Sequence, residues 1–333
     1  MRVLDRLEQL YAIGGGPGAN RVGYSAEEDE AHALARGWME EAGLAIEVDA
    51  AGNLFARSAT ATGIWTGSHL DSVPQGGKFD GALGVVAAIE AVERTGRGTV
   101  AVFREEERGC VGSRAFVEHG ALPDAFVELH IEQGPRLAAI GAPLAVVTGI
   151  VGYARGEVVV EGAAGHAGTT PMDHRDDALV KAARSILELE EQARAIPDAV
   201  ATVGRIEAEP GGINVIPGRV RYSVDVRAPD EERLERLVAL AGIDFEHAAS
   251  PSAMSPLVMD ALRGEIEKRG LPVVELASGA GHDAGVLAAA GVPSGMLFVR
   301  SLNGGVSHSP DELSSDEDIA LAVDVLAETL RRL

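Results

Sequence analysis

Apolar and polar residues along the chain follow two alternating patterns. Short runs rich in strand-forming residues, bounded by glycine, charged or turn residues, predict strands at 64–68, 99–103, 126–129 and 296–299. Helical spacing of apolar residues predicts helices at 25–42, 85–94 and 316–333. The first of these has Ser25 and Glu28 at the positions of a capping box and ends near Gly43. Strands that alternate with helices predict an α/β layer with a largely parallel sheet.

A segment in the middle of the chain has a different order of elements. Strands are predicted at 155–161, 201–207, 219–225 and 243–247. Helices are predicted at 177–195, between the first and second strands, and at 230–241, between the third and fourth. This βαββαβ order is typical of a small, ferredoxin-like α+β sandwich. Because it interrupts the α/β pattern, we expect an inserted domain at 153–248 and a main domain formed by 1–152 plus 249–333.

The composition excludes several partners and sites. A formal net charge of -22 leaves few basic side chains to neutralise phosphate, so nucleic acid is not an expected partner. No apolar run reaches the ~20 residues that cross a bilayer, and 1–10 carries charges where a signal peptide is apolar. We therefore expect a soluble cytoplasmic protein with no membrane partner. Cys110 is the only cysteine, so a disulfide within the chain and a cysteine-based zinc site are excluded. Any metal must be bound by His, Asp and Glu.

Side chains that bind metals follow the predicted strands of the α/β layer. They are His69 after the first strand, Glu105, Glu106 and Glu107 after the second, His130 after the third and His308 after the fourth. Each of them alone also fits an ordinary structural or surface role. Because the carboxyl ends of parallel strands converge on one crevice, the repetition at four strand ends favours a metal site.

The kinds of ligand indicate how many ions such a site holds. Mixed imidazole and carboxylate sets suit hard or borderline divalent ions, and five ligands are enough for two ions that share one carboxylate. Asp71, two residues beyond His69, is suited either to orient that imidazole or to cap a turn. Asp80 lies in the glycine-rich segment 76–84, whose flexible backbone would turn it back over the crevice.

Seven segments in chain order resemble a known family. They are "GSHLDSVPQGGKFDGALGV", the glutamates after "AVF", "ELHIEQGP", "GHAGTTPM", "NVIPGRVRYSVDVR", "SGAGHDA" and "GVSHSPDE". Together they resemble the dinuclear-metal amidohydrolases that include N-carbamoyl-L-amino-acid hydrolases and allantoate amidohydrolases. This hydantoinase/carbamoylase family is a branch of the aminoacylase and carboxypeptidase superfamily. The similarity runs from "NRVGYSAEEDEA" to the segment of His308.

The resemblance implies a metallopeptidase-like catalytic domain with two divalent ions, Zn²⁺ or Mn²⁺, Co²⁺ or Ni²⁺. His69, Asp80 and His130 would bind one ion, and Asp80, Glu107 and His308 the other. Glu106 would be the general base.

The resemblance also assigns the inserted domain to dimerisation and to a lid. In the implied homodimer, His166 of one subunit acts in the active site of the other. Asn214 and Arg227 would bind a small carboxylate substrate, with Arg227 on the carboxylate, and Gln133 would contact its amide. Outside their motifs, His166 and Arg227 also fit surface roles.

The chain departs from the family pattern in three places. Arg108 follows the glutamates where relatives usually have glycine, and both 116–127 and the end of the inserted domain look short. With three consecutive glutamates, base and ligand could each be shifted by one residue.

The expected activity is metal-dependent hydrolysis of N-carbamoyl-L-amino acids or of a ureido acid such as allantoate. An aminoacylase or dipeptidase and a carboxylate-binding protein without catalysis are the alternatives. Glu106 beside Glu107 favours an enzyme, because binding alone needs no base.

Overall fold

The computed structural model describes residues 2–242 and 244–333. The α-helices are α1 Arg2–Tyr11, α2 Ala26–Glu41, α3 Ala82–Thr95, α4 Val111–His119, α5 Arg136–Ile140, α6 Ala178–Arg194, α7 Glu231–Ala241, α8 Pro256–Glu267, α9 Asp283–Ala289 and α10 Asp316–Arg332. Strands β1 to β8 are Ala45–Val48, Leu54–Arg57, Thr60–His69, Arg97–Phe103, Ala125–Ile131, Leu144–Ile150, Gly152–Glu161 and Gly165–His166. Strands β9 to β16 are Val200–Thr202, Ile206–Glu209, Val215–Ile216, Arg219–Ala228, Asp244–Ala249, Ser252–Ala253, Glu275–Ser278 and Ser294–Val299. Short 3₁₀ helices lie at Met172–His174 and Asn303–Gly305. Within the described ranges no helix has both the length and the apolar character of a membrane span.

The described chain divides into two compact units. One consists of residues 1–150 and 253–333, and the other of residues 151–252. Each unit has its own apolar core.

The larger unit is built on a mixed sheet with a parallel centre. Its strand order is β1-β2-β4-β3-β5-β16-β6-β14, with β15 beside β6. Strands β4, β3, β5 and β16 run parallel to one another, and β1, β2 and β6 pair in antiparallel fashion. Helix α3, buried from Ala82 to Val92, packs on β3, β4 and β5 and contacts α10. The predicted α/β fold with a mainly parallel sheet is confirmed.

The parallel centre brings the ends of distant strands together. In the register of the sheet, His69 lies opposite Phe103 and His130 lies opposite Phe298. The segments that follow β3, β4, β5 and β16 therefore leave the sheet at the same edge. These are the segments that carry the predicted ligands.

The smaller unit has the predicted βαββαβ order. Strands β10, β12, β7 and β13 form an antiparallel sheet with β9 also on β12, and helices α6 and α7 pack on it. The predicted strand at 201–207 is divided into β9 and β10, because the chain leaves the ladder at Gly204 and Arg205 hydrogen-bonds to Ser223. The last predicted strand, 243–247, is observed as β13, and Ile243 lies outside the described residues.

Candidate metal centre

Two buried histidines at the ends of parallel strands present one free nitrogen each. The Nδ1 atom of His69 lies 3.2 Å from Asp71 Oδ1 and 3.2 Å from the Asp71 carbonyl oxygen. The Nδ1 atom of His130 lies 3.0 Å from the Ile131 carbonyl oxygen. Because Nδ1 faces acceptors in both rings, it carries the hydrogen and leaves the Nε2 lone pair for a ligand. His130 Nε2 is buried and makes no well-aligned hydrogen bond, although Asp80 Oδ1 lies 3.2 Å away; this is the environment of a metal-binding nitrogen.

Asp80 stands between two groups of potential ligands. Its Oδ1 atom lies 3.2 Å from His130 Nε2 and 3.8 Å from His69 Nε2. Its Oδ2 atom lies 3.3 Å from His308 Nε2, and Glu107 Oε2 is 3.2 Å from the same nitrogen. The ligand atoms of His69, Asp80 and His130 lie within 4.8 Å of one another, as do those of Asp80, Glu107 and His308. The donor set therefore fits two divalent cations with Asp80 common to both.

Gly81 allows the segment that carries Asp80 to pass close to the His69 ring. It has a φ of 62°, and a Cβ atom on it would come within 2.4 Å of the His69 ring. Any other residue would both clash with a ligand and occupy a left-handed conformation. Of the glycines in the segment 76–84, Gly81 is therefore required for the position of Asp80 beside His69.

The charges at the centre shift the protonation of its groups strongly. Burial alone would raise the pKa of Asp80, but His130 and His308 hold it well below the ordinary value. Hydrogen bonds to Asp80 and Glu107 raise the pKa of His308 to about 10. Burial would lower the pKa of His69, yet Glu106 and Asp71 raise it well above the usual value. Without a cation, protons on the imidazoles balance the carboxylates, so cations and protons compete for the same atoms.

The three consecutive glutamates point in different directions. Glu105 has a φ of 50° and forms an ion pair with Arg108, away from both ligand groups. Glu107 faces His308 and belongs to a ligand group. Glu106 belongs to neither group, although its Oε2 atom lies 3.7 Å from His69 Nε2. Burial raises the pKa of Glu106 well above that of a free glutamate, with Asp283 and Glu107 adding to the effect. The geometry therefore distinguishes Glu106 from its two neighbours.

Two buried carboxylates hold the backbone of these glutamates. The N–H of Glu105 donates to Glu28 Oε1 at 3.0 Å. The N–H groups of Glu106 and Glu107 donate to Asp71 Oδ1 and Oδ2 at 3.0 and 3.1 Å. Asp71 thus joins His69 to the glutamate loop. The capping-box pattern identified Glu28 only as part of the N-terminal cap of a helix. The contact between Glu28 and Glu105 was missed because that contact depends on the tertiary fold.

Gln133 donates hydrogen bonds to Asp80 and to Ser307, the residue before His308. Its Nε2 atom lies 3.0 Å from Asp80 Oδ2 and 3.2 Å from Ser307 Oγ. Its φ of 55° and the φ of 54° at His308 are left-handed values, like that of Glu105. Such strained non-glycine residues are common at functional sites.

In a third buried trio, both oxygens of the carboxylate and one imidazole nitrogen already have hydrogen-bond partners. The trio consists of Glu128, His130 and His282. The Glu128 oxygens accept hydrogen bonds from Ser68 Oγ and the N–H of Ala284 at 2.7 and 2.9 Å. His282 Nε2 lies 2.9 Å from Ser278 Oγ. Through these contacts the "SGAGHDA" segment packs against Glu128 and His130 and stabilises the strand that carries the His130 ligand.

The remaining predicted site residues belong to the smaller unit. His166 lies on β8 opposite Val215 of β11, and its Nδ1 atom accepts the N–H of Gly168 at 3.0 Å. Asn214 directly precedes β11, and its carbonyl oxygen accepts the N–H of Ala167. Arg227 on β12 binds both carboxylate oxygens of Asp225, at 2.9 and 3.2 Å. His166 and Asn214 are therefore neighbours within this unit.

Comparison with known proteins gives a consistent result. The model of "Peptidase family M20/M25/M40" matches residues 65–332. The chain is 37% identical over 402 aligned positions to an N-carbamoyl-L-amino acid amidohydrolase of Geobacillus stearothermophilus, covering 100% of this chain and 98% of the relative. It is 34% identical to an allantoate amidohydrolase of Bacillus subtilis, covering 99% and 97% of the two chains. Because 402 aligned positions exceed the 333 residues of this chain, the first relative has residues without a counterpart here.

Solved structures agree with the sequence matches. An amidase of the hydantoinase/carbamoylase family from Burkholderia multivorans superposes with a TM-score of 0.87 at 30% identity, covering 99% of this chain and 96% of that chain. A related amidase from Burkholderia ambifaria gives a TM-score of 0.89 at 29% identity, with the same coverage. The chain therefore belongs to peptidase family M20/M25/M40, in the group of N-carbamoyl-L-amino-acid and allantoate amidohydrolases that its motifs resemble, and it is an amidohydrolase, an enzyme that hydrolyses carbon–nitrogen bonds.

Proposed function

We propose that this enzyme hydrolyses N-carbamoyl-L-amino acids or closely related ureido acids to the amino acid, carbon dioxide and ammonia. The observation that carries the proposal is the position of Asp80 in two ligand groups, with the buried Glu106 beside them and outside both. The names of the relatives support ureido acids as the substrate class.

We further propose that the ligand groups hold two divalent cations, Zn²⁺ or Mn²⁺, Co²⁺ or Ni²⁺. When bound, such a pair lowers the pKa of water and polarises the substrate carbonyl. His69, His130 and His308 supply neutral nitrogens, Glu107 supplies a carboxylate, and Asp80 is shared. Asp71 fixes the ring of His69 and the backbone of the glutamate loop, which preserves the ligand geometry without any contact to substrate.

Glu106 then acts as the general base. Its carboxylate accepts a proton from the attacking water at Oε2 and returns it to the leaving nitrogen. A pKa raised by burial favours the second step, because a carboxyl that is too acidic would retain no proton to donate. Gln133 keeps Asp80 in place through Oδ2, and its amide is also available to the substrate amide.

The smaller unit is proposed to bind the substrate and to form a lid and a homodimer. Arg227 already holds the Asp225 carboxylate through two nitrogens, the planar geometry that a substrate carboxylate requires. Asn214 would add a polar contact to the substrate. His166 would steady the oxyanion in the active site of the partner subunit. The larger unit would be the catalytic domain.

A substrate panel tests this function. Enzyme reconstituted with each of the four metals is incubated with N-carbamoyl-L-amino acids, allantoate, N-acetyl amino acids and dipeptides, and ammonia or free amine is followed. Glu106→Gln should lose activity by at least 100-fold. Glu105→Gln is the matched control and should keep it, because Glu105 faces Arg108. Cleavage of only the N-acetyl or peptide substrates, or binding without turnover, would replace this proposal with an aminoacylase, a dipeptidase or a binding protein.

A further inference from the structure

Two of the proposed ligands come from loops that do not follow neighbouring strands. Asp80 lies in the loop after β3, and His308 lies in the loop after β16. Strand β5 separates β3 from β16 in the sheet. The sheet alone therefore does not fix the distance between these two loops, and a further contact is needed to hold them at a cation-binding separation.

Glu312 makes that contact. Its Oε1 atom accepts the N–H groups of Phe79 and Asp80 at 2.7 and 3.1 Å. Its Oε2 atom accepts Ser307 Oγ at 2.7 Å, one residue before His308. One carboxylate therefore binds the backbone of the first loop and a side chain of the second.

The contacts of Gln133 close these bonds into a ring. Gln133 Nε2 reaches both Asp80 Oδ2 and Ser307 Oγ, and Gln133 follows β5, the strand between the two loops. The ring runs through Glu312, Asp80, Gln133 and Ser307. It connects the segments that follow β3, β5 and β16.

The chain is shaped to accommodate this carboxylate. Glu312 is 5% exposed. A Cβ atom on Gly77 would lie 2.1 Å from its carboxylate, so only glycine leaves room there.

We propose that Glu312 is a positioning residue of the metal centre, which sets the separation of Asp80 and His308 for the second cation. This inference rests on the proposed pair of cations. It assigns no contact between Glu312 and substrate or cation, because its oxygens are already used by Phe79, Asp80 and Ser307.

Cation binding is the direct test. Metal-free wild type, Glu312→Ala, Glu312→Gln and Ser307→Ala are titrated with Zn²⁺ and Mn²⁺ against a chromophoric chelator, and bound metal is counted by elemental analysis. Glu317→Ala removes an exposed glutamate from the start of α10 and is the control. Circular dichroism and thermal unfolding in chelator establish that each variant is folded.

We expect Glu312→Ala to weaken the second cation at least tenfold. Glu312→Gln should weaken it less, because its remaining oxygen still accepts both backbone N–H groups, and Glu317→Ala should leave it unchanged. Ser307→Ala should also weaken it, since the link to the His308 loop is lost. With substrate, kcat should fall more than KM changes, because the variants leave the proposed substrate contacts of Arg227 and Asn214 intact.

Two results would overturn the inference. One is a folded Glu312→Ala that binds two cations with wild-type affinity. The other is equal weakening by Glu312→Gln and Glu312→Ala, which would assign the effect to charge and not to position. If Glu312→Ala does not fold, Glu312→Gln and Ser307→Ala decide, and wild-type affinity in both rejects the role. A wild type that binds two cations without cleaving any ureido acid would refute the proposed function alone.

Discussion

The carboxylate of Asp71 offers a sharp test of how the centre is held together. It is fully buried and faces three donors: His69 Nδ1 and the N–H groups of Glu106 and Glu107. The substitution Asp71→Asn keeps the shape but replaces one acceptor oxygen with an NH₂ group. At least one of the three donors then loses its acceptor, whichever way the amide is turned.

The size of the effect follows from the lost bond. A hydrogen bond to a charged group stabilises a protein by about 1.5–3 kcal/mol. We therefore expect Asp71→Asn to lower the free energy of unfolding of the larger unit by about 1.5–3 kcal/mol at pH 7. A ΔΔG of that size is a large part of a typical stability of about 5–15 kcal/mol.

The pH dependence of this effect has a definite sign. Burial would raise the pKa of Asp71, but the His69 contact and the two N–H groups bring it below the ordinary value. A carboxyl with a lowered folded-state pKa stabilises the fold above its unfolded pKa, about 3.9. The stabilisation is lost as the pH falls through the folded-state value. The difference between wild type and Asp71→Asn should therefore be full at pH 7 and shrink below about pH 3.9.

Tryptophan fluorescence during urea unfolding of the metal-free protein is the assay. The sequence has two tryptophans, Trp38 and Trp65, and both are buried in the larger unit. The signal thus reports on the unit that contains Asp71. Asp5→Asn makes the same chemical change on the exposed side of α1 and should shift the free energy by less than about 0.5 kcal/mol. If Asp71→Asn changes the free energy of unfolding as little as Asp5→Asn does, the three contacts of Asp71 do not stabilise the centre.

Three further predictions concern cations, substrate and assembly. Because the pKa of His308 is raised to about 10 by Asp80 and Glu107, cation binding should release a proton and tighten as the pH rises toward 10; calorimetry in buffers of different ionisation enthalpy measures this, and a pH-independent affinity contradicts it. Arg227→Lys should raise KM at least tenfold and leave the cation count at two, because lysine lacks the planar fork; an unchanged KM would remove Arg227 from substrate binding. Inactive Glu106→Gln and His166→Ala subunits should regain activity when mixed, and inactive heterodimers would show that His166 does not act across the dimer.

Much of the larger unit could be predicted from local patterns. The strands that end at Phe103, Ile131 and Val299 contain apolar runs, and such runs indicate buried parallel strands without knowledge of the fold. The strand that ends at His69 has only the short apolar stretch Ile64 and Trp65. The antiparallel strands β1 and β2 were not predicted. Both are only four residues long. Strand β1 lies at the sheet edge and is largely exposed, and β2, which lies between β1 and β4, is buried but too short to show a periodic pattern.

The sequence left the three glutamates unresolved for a physical reason. The three glutamates are identical and adjacent, so their sequence surroundings are nearly the same. Only the backbone conformation decides where each side chain points. That backbone is held by Glu28 and Asp71, which are 77 and 35 residues away from their partners Glu105 and Glu106. Glu312 was missed for the same reason, since it lies 232 residues beyond Asp80. Contacts of this kind depend on the complete fold and leave no local pattern.

Counting bound metal is the most direct test of the centre. Chelator-treated protein is reconstituted with excess Zn²⁺ or Mn²⁺, desalted and analysed for metal per chain, beside Asp80→Ala. We predict two ions per wild-type chain and fewer than one in Asp80→Ala, because that carboxylate belongs to both ligand groups. A wild type that stays empty with every metal, or an Asp80→Ala variant that still holds two ions, would contradict a dinuclear centre built around Asp80.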